Sequence, residues 1–251
     1  MKTFGYELEF NGGILEKISE KYDIPCYKKA EHTSYDKYQL KTEVSITKRL
    51  DFNGQIIRVG GEFISPILSD YKTSLNDLKK WLFILKNEGC YIRPNSYDTG
   101  FHIHLDRSFI GDFEKIEKVL KFLYAFQPEI YELSKGDQKN IRNSVYFDVK
   151  PLTPSLVKEI LKTQEVKLLK RKGYCICITP DTLELRYFNS SLNIDVLNSY
   201  FQFAFHLRDY ILDNATDLDL LNYYYRKALR RKDNFSLSLK RQKAMNKFLE
   251  L

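Results

Sequence analysis

Three short segments each carry two reactive side chains that are two residues apart, and they constrain the fold more than any other feature of the chain. They are Glu7-Leu8-Glu9, His102-Ile103-His104 and Glu184-Leu185-Arg186. Residues i and i+2 of a β-strand point to the same face. Each segment therefore directs both polar groups to one side of a sheet and its apolar middle residue to the other.

A fourth carboxylate, Glu62, follows two glycines in the segment Gly60–Pro66, where glycine lets a ligand or another backbone come close. Glu7 and Glu9 repel each other unless a cation lies between them. Four carboxylates, two imidazoles and a guanidinium on one concave face would suit divalent metal and phosphate. The plainer alternative for each group is a solvated strand face or a surface ion pair.

The hydrophobic pattern predicts strands mixed with helices first and helices alone afterwards. Strands are predicted over Thr3–Phe10, Tyr38–Phe52, Gln55–Ile64, Tyr91–Arg93, Gly100–Asp106, Arg142–Val149, Gly173–Ile178 and Leu183–Phe188. Helices are predicted over Ile14–Tyr22, Ser74–Asn87, Ile116–Leu133, Pro154–Thr163, Ile194–Leu212, Leu218–Arg231 and Leu237–Leu249. Turns are predicted at Asn11–Gly13 and, as a hairpin, at Asn53-Gly54. This order favours an α+β fold with an antiparallel sheet.

Length and charge predict two parts. A chain of 251 residues suits one large domain, over residues 1–215, with a helical C-terminal extension over residues 216–251. Residues 222–251 hold nine Lys or Arg against two acidic residues, so this segment carries the whole net charge of +7. Its interleaved aromatic and basic residues, as in Tyr223–Lys227, would suit weak contact with nucleic acid. We favour the other interpretation of this pattern, a solvated amphipathic helix.

The sequence predicts a cytoplasmic protein. No apolar run approaches the roughly 18 residues that cross a bilayer, so we expect no membrane association. The N-terminus lacks the apolar segment of a signal peptide. The cysteines are Cys26, Cys90, Cys175 and Cys177. We expect them to be reduced and mostly buried, as in a reducing compartment.

Five segments resemble, in order, the motifs of the amidoligase family, a branch of the glutamine synthetase and glutamate–cysteine ligase superfamily. The segments are Phe4–Phe10, Lys41–Ser45, Gly61–Pro66, Gly100–His104 and Thr182–Phe188, and the family motifs are Gly-x-Glu-x-Glu, Asp-x-Ser, Glu-x-x-Ser-Pro, Gly-x-His-x-His and Glu-x-Arg. No single segment is specific, whereas five in the right order are. The chain departs from the family at Glu43, where Asp is usual, and at Ile67, where a second proline is common.

The resemblance implies an ATP-dependent carboxylate–amine ligase on an antiparallel sheet cradle of glutamine synthetase type. It implies that Mg²⁺ (or Mn²⁺) is held by Glu7, Glu9, Glu62, His102 and Glu184. His104 would contact the nucleotide phosphate, and Arg186 would stabilise the transferred phosphoryl group. Arg142 is a weaker candidate for binding the substrate carboxylate.

The implied reaction activates the acid first. A carboxylate does not accept an amine at neutral pH, because its leaving group would be oxide. Transfer of the γ-phosphoryl of ATP gives an acyl phosphate, whose leaving group is phosphate. The amine then attacks while a carboxylate accepts its proton, and Glu43 is the candidate. Glu62 and Arg186 complete the catalytic candidates. The acid and the amine are small molecules or peptides of open identity, and an oligomer is possible.

Two other functions fit the sequence. A metal-dependent hydrolase could use the His102–His104 strand, although such sites usually recruit more imidazoles, and the chain has only His32 and His206 beyond these two. A nucleic-acid-binding or scaffolding protein could act through the basic C-terminal helices. The sequence lacks a Walker loop and a dinucleotide-binding glycine motif, so nucleotide binding would depend on metal and sheet.

Overall fold

The computed structural model describes residues 3–28, 36–43, 46–52, 55–94, 99–139, 149–169, 173–212, 218–230 and 239–249. Within these ranges the strands are β1 (Phe4–Ile14), β2 (Cys26–Tyr27), β3 (Gln39–Lys41), β4 (Lys48–Phe52), β5 (Gln55–Ile64), β6 (Cys90–Tyr91), β7 (Gly100–Asp106), β8 (Ile176–Ile178) and β9 (Thr182–Asn189). The α-helices in the same ranges are α1 (Leu15–Tyr22), α2 (Tyr71–Asn87), α3 (Phe113–Ala125), α4 (Gln127–Ser134), α5 (Pro154–Thr163), α6 (Ile194–Leu212), α7 (Leu218–Leu229) and α8 (Leu239–Leu249).

All of these strands belong to one sheet. Its main path runs β2-β3-β5-β1-β7-β9-β8, while β4 also pairs with β5 and β6 also pairs with β1. The β2–β3 pair is parallel, and the other pairs of named strands are antiparallel. The predicted combination of helices with a mostly antiparallel sheet is therefore confirmed, and the sheet is open.

One face of the sheet is apolar and packs against helices. Leu8 lies between Phe63 on β5 and Phe101 on β7, and all three side chains are fully buried. Phe201 of α6 packs edge-on against Phe101, with ring centroids 5.4 Å apart. Burial of each such side chain contributes about 1.5–3 kcal/mol. Because side chains alternate along a strand, the neighbours of these residues in sequence lie on the opposite face.

Capping residues set several helix ends. Asp70, Asp112 and Thr153 precede α2, α3 and α5, and the side chain of each accepts a hydrogen bond from a backbone N–H of the first turn. The helix predicted over Ile116–Leu133 is divided into α3 and α4. The break falls at Phe126, because Pro128 lacks the N–H that would continue α3 but is well tolerated in the first turn of α4.

The turn predicted at Asn11–Gly13 was wrong. β1 continues through these residues and pairs with β6 at Asn11 and Gly12. Gly12 and Gly13 have φ angles of +70° and +65°, a region that favours glycine. The glycines therefore distort a long strand instead of ending it.

The single strand predicted over Tyr38–Phe52 was also wrong, because it is divided into β3 and β4. The chain bends between them, where the N–H groups of Ile46 and Thr47 both donate to the carbonyl of Glu43. Local alternation could not reveal a bend that depends on these backbone bonds. The predicted turn at Asn53-Gly54 and the predicted strand residues 142–148 lie outside the described residues.

The described C-terminal helices pack against the rest of the molecule. Tyr225 of α7 contacts Tyr124 of α3, and Met245 of α8 is buried in the common core. Tyr224 is buried too, so Tyr223 is the one exposed tyrosine of the three consecutive tyrosines in α7. Residue 215 lies outside the described residues, and the predicted division there stays a prediction.

None of the helices in the described ranges combines the length and apolar composition that a membrane crossing requires. All four cysteines lie within these ranges, and none forms a disulfide. Cys90, Cys175 and Cys177 are buried, while Cys26 is partly exposed. Burial raises the pKa of the Cys90 thiol to about 12.

Candidate functional site

The strand registers bring the sequence-predicted site residues to neighbouring positions. The directly opposed pairs are Glu7–His102, Glu9–Glu62 and His104–Glu184. Residues directly opposite each other in an antiparallel sheet share a face, with Cβ atoms about 4.5–5.5 Å apart. These six residues, on β5, β1, β7 and β9, therefore form one continuous patch opposite the apolar core, which we call the site face.

A β-bulge adjusts the edge of this patch. The β7–β9 pairs on either side of it are Phe101–Phe188 and Ile103–Leu185. Two residues of β9, Arg186 and Tyr187, thus span the interval that His102 alone spans on β7. Bulges of this kind redirect side chains and are common beside functional sites. Here the bulge falls at the residue whose guanidinium joins the patch.

The imidazoles lie among the carboxylates. His102 Nδ1 is 3.1 Å from Glu7 Oε2 and 3.5 Å from Glu184 Oε1, and its Nε2 is 3.9 Å from Glu9 Oε1. His104 Nε2 is 3.4 Å from Glu7 Oε1 but does not meet hydrogen-bond geometry there. Glu7 therefore stands between two imidazoles, and His102 stands between three carboxylates.

Arg186 lies at the β9 side of the patch. Its Nη1 donates to Glu184 Oε1 over 2.5 Å, and both side chains are buried. Its Nε is buried and has no hydrogen-bond partner among the residues that the structure describes. The guanidinium thus retains donor capacity next to the carboxylates, which suits an additional anionic group.

These contacts shift the ionisation of the patch. Burial opposes the charge on Glu7, but the imidazoles of His104 and His102 outweigh burial and hold the pKa of this carboxyl well below its ordinary value. Burial also opposes the charge on His104, but Glu7 and Glu184 outweigh it and raise the pKa of the imidazole. The charged forms of Glu7 and His104 therefore stabilise each other.

Glu62 shows the opposite shift. Burial, together with the negative charges of Glu7, Glu9 and Glu43, raises its pKa well above the ordinary value. The charge of Lys41, which is directly opposite Glu62 on β3, only partly offsets this effect. Excess negative charge therefore accumulates at the β5 side of the patch.

The donor set fits a divalent cation together with an anion. Glu7, His104 and Glu184 each offer one ligand atom, and these atoms lie within 4.8 Å of one another. Carboxylate oxygens are the ligands that Mg²⁺ prefers, and imidazole extends the set to Mn²⁺. The buried Nε of Arg186, which has no hydrogen-bond partner among the described residues, is a donor suited to an anion on the same side of the patch.

Backbone and loop groups hold Glu9 in place. The N–H of Gly100, at the start of β7, donates to its Oε2 in a short contact. The hydroxyl of Ser190, directly after β9, donates to its backbone carbonyl over 2.5 Å. The carboxylate of Glu9 is thus held by the start of β7, and its backbone by the residue that follows β9.

The remaining candidates fall at the margin of the patch or outside the described residues. Glu43 follows β3 and is close enough for its charge to raise the pKa of Glu62. Arg142 and His32 lie outside the described residues. His206 lies on α6.

One residue of the site face was missed at the sequence level. Gln39 is fully buried on β3, and it is directly opposite Ile64, which is directly opposite Glu7. Strand alternation puts Gln39 on the same face as Lys41, two residues further along the chain, and this parity was the signal available in the sequence.

The comparisons with known proteins identify the family. A protein-family model described as "Putative amidoligase enzyme" matches residues 1–181. This range includes Glu7, Glu9, Glu62, His102 and His104 but ends before Glu184 and Arg186. A search of curated proteins found no match. Because the family model covers well over half of the chain, the protein belongs to the amidoligase family.

Proposed function

We propose that the protein is an ATP- and Mg²⁺-dependent ligase that joins a carboxylate to an amine. The observation that carries this proposal is the grouping of Glu7, Glu9, Glu62 and Glu184 with two imidazoles and a guanidinium on one face of the sheet. Membership of the amidoligase family supports ligase activity. The dependence on ATP and magnesium is argued from the chemistry of these groups.

In this proposal the metal is Mg²⁺ or Mn²⁺. Its ligands are Glu7, Glu9, Glu62, His102 and Glu184. Four carboxylates in one patch repel each other, and a divalent cation removes this repulsion. When bound, the cation neutralises phosphate charge and orients the phosphate oxygens.

His104 and Arg186 are assigned to phosphate. His104 could instead be counted among the metal ligands, because its Nε2 lies close to oxygens of Glu7 and Glu184. Its raised pKa favours the imidazolium, which binds phosphate and does not ligate a cation. Arg186 presents a buried Nε without a partner on the same side of the patch.

The chemistry of amide formation explains why such a patch is useful. An oxygen of the substrate carboxylate forms a bond to the γ-phosphorus of ATP as the bond to ADP breaks, which gives an acyl phosphate. The amine nitrogen then bonds to the acyl carbon, phosphate leaves, and the amine proton passes to a carboxylate. We assign the proton acceptor to Glu43, which borders the patch beside Glu62. Phosphoryl transfer mainly requires positioning and charge neutralisation, which Arg186 and His104 would contribute.

The proposal extends to the architecture. An open, mostly antiparallel sheet with acidic groups on one face and helices on the other is compatible with a cradle of glutamine synthetase type. Residues 1–215 would form the catalytic unit, and the C-terminal helices would contribute to its core. We retain a cytoplasmic location and weak nucleic-acid contact through these helices as proposals.

A paired binding and turnover experiment tests the function. Mn²⁺ binding by electron paramagnetic resonance and Mg²⁺-dependent ADP release over pooled acids and amines are measured for the wild type, Glu7→Gln and Glu159→Gln. Glu159 is exposed on α5 and serves as the matched control. We expect wild type and control to bind Mn²⁺ and release ADP, and Glu7→Gln to lose both. Equal behaviour of the three proteins, or no binding of metal and nucleotide by any of them, would refute the proposal.

A further inference from the structure

The carboxamide of Gln39 is fully buried, and within the described part of the chain neither its oxygen nor its nitrogen has a hydrogen-bond partner. Buried polar groups are almost always hydrogen-bonded, because an unsatisfied group destabilises the folded protein. A ligand that hydrogen-bonds to this amide would remove the penalty.

Gln39 belongs to the site face. It is directly opposite Ile64, and Ile64 is directly opposite Glu7, so the three residues form one row across the sheet. Lys41, two residues along β3, occupies the next row opposite Glu62. Gln39 and Glu7 are two strand spacings apart, or roughly 10 Å. At this separation the amide lies near the groups that would take part in the reaction, but it is not itself one of those groups.

The position of β3 in the sheet indicates whether Gln39 would contact the nucleotide or the acid substrate. In the proposed reaction, His104 and Arg186 on β7 and β9 bind the nucleotide phosphates. The attacking and leaving oxygens of a phosphoryl transfer lie roughly in line on opposite sides of the phosphorus. The acid therefore approaches from the side away from the nucleotide. With the phosphates over β7 and β9, the strands on the far side of β1 are β5 and β3, which carry Glu62 and Gln39.

We propose, on the basis of the ligase function above, that Gln39 is a specificity residue that binds an amide group of the acid substrate. The substrate class is then a peptide or an N-acylated amino acid. A carboxamide offers one acceptor and one pair of donors, which an amide group complements. Lys41 is partly exposed, and its positive charge on the same face favours an anionic substrate. A bound amide group would supply the hydrogen bonds that the carboxamide of Gln39 lacks.

The substitution Gln39→Met separates this role from a structural one. Methionine has a similar size but no polar group that needs a partner. If Gln39 is kept for a ligand, the variant should unfold about 2–4 °C higher than the wild type without ligand, because the unsatisfied amide is removed. If Gln39 had only a structural role, Gln39→Met would unfold at a lower temperature than the wild type. Gln202→Met, on the exposed face of α6, is the matched control and should leave the unfolding temperature nearly unchanged.

The binding arm uses two acids that differ only in the amide. N-acetylglycine contains an N–H where 4-oxopentanoate contains a methylene, and glycylglycine is a second amide probe. Calorimetry with the full chain should show that the wild type and Gln202→Met bind the amide acids at least about tenfold more tightly than the keto acid. Gln39→Met should bind N-acetylglycine and 4-oxopentanoate equally weakly.

Three results would overturn the inference: no preference for the amide acids in the wild type, an unchanged preference in Gln39→Met, or a lower unfolding temperature of that variant. Loss of ATP binding alone in Gln39→Met would also overturn it, because the amide would then face the nucleotide. Failure of the proposed function is distinguished by the Mn²⁺ and ADP measurements on Glu7→Gln, which do not depend on Gln39. The preference for amide acids is measured without nucleotide, so its outcome does not depend on the Mn²⁺ and ADP measurements.

Discussion

Glu9 and Glu62 lie directly opposite each other on neighbouring antiparallel strands, and their residues are only 5% and 8% exposed. Like charges in this relationship destabilise a sheet. Burial and the neighbouring carboxylates, Glu9 among them, raise the pKa of Glu62, so the pair is poorly suited to the metal-free protein. A cation bound between the two carboxylates would replace this repulsion by attraction to the cation.

We therefore predict that Glu62→Gln stabilises the metal-free protein and weakens its response to metal. Removing one charge of the pair should raise the free energy of unfolding by about 1 kcal/mol, and the unfolding temperature by about 2–4 °C. At a hundredfold excess of Mg²⁺ over its Kd, the wild type should gain about 2.7 kcal/mol. The variant should gain less than half as much, as measured by thermal unfolding in EDTA and in Mg²⁺.

The exposed substitution Glu159→Gln is the control for this prediction, because it removes a carboxylate outside the patch. It should leave both the metal-free stability and the gain from Mg²⁺ unchanged. A less stable Glu62→Gln protein in EDTA would show that the carboxylate pair is already compensated without metal.

The same residue predicts a pH dependence of stability. The folded-state pKa of Glu62 lies well above the ordinary 4.5. The protonated carboxyl therefore contributes stability that is complete below about pH 4.5 and is lost as the pH rises through the folded-state pKa. Glu62→Gln keeps a neutral group at every pH. In EDTA, the stability of the wild type relative to this variant should fall as the pH rises.

Denaturant unfolding of both proteins at a series of pH values measures this difference. Comparison with Glu62→Gln removes most of the contributions of Glu7 and Glu184, whose pKa values are lowered and whose effect has the opposite sign. The raised pKa of Glu62 would be contradicted if the difference in the free energy of unfolding between the two proteins did not change with pH. It would also be contradicted if the wild type became relatively more stable as the pH rises.

The faces of the strands could be predicted from sequence because alternation is a local property. Glu7 and Glu9, or His102 and His104, share a face wherever their strands lie in the sheet. The order of the strands and their register depend on distant parts of the chain. The sequence therefore did not show that Glu9 would lie opposite Glu62. The hypothesis of a common site depended on the motifs in these segments and not on a known strand register.

Features that depend on backbone geometry escaped sequence reasoning. The bulge at Arg186 and Tyr187 arises from a register shift against β7. The bend after β3 depends on two N–H groups that share the carbonyl of Glu43. Gln39 was overlooked for a different reason, because an unsatisfied amide is recognised only when its surroundings are known.

The substitution Gly61→Ala tests the close approach that positions Glu62. A Cβ at Gly61 would lie 2.5 Å from the carbonyl oxygen of Lys41 and 3.1 Å from Leu15 Cδ1. One of these contacts involves backbone, so β3 must shift away from β5. We expect a loss of about 1–3 kcal/mol in the free energy of unfolding, together with weaker Mn²⁺ binding.

Gly173→Ala is the matched control, because no atom of the described residues lies within 4 Å of a Cβ at that position. It should change neither property. Unchanged stability of Gly61→Ala would mean that β3 and β5 do not approach as closely in solution, and the placement of Gln39 beside Ile64 would fail with it.

A buried ion pair joins the last described helix to the body of the protein. Arg241 of α8 donates from its Nε to Glu129 of α4 over 2.9 Å, and the residues are only 7% and 2% exposed. Substitution of Arg241 by Met leaves a buried carboxylate without this cation. We expect the single variant to lose about 3–5 kcal/mol in the free energy of unfolding.

The double variant Glu129→Met/Arg241→Met should recover most of this loss, because it removes both charges and leaves apolar groups of similar volume. Lys243→Met, exposed on the same helix, controls for loss of positive charge and should stay close to the wild type. Chemical denaturation of the wild type and these three variants measures the loss and its recovery, and adding the single variant Glu129→Met completes the cycle that gives the coupling between the two residues. If Arg241→Met were as stable as Lys243→Met, α8 would not be docked through this ion pair, and a C-terminal extension that is energetically separate from the catalytic unit would be the better description.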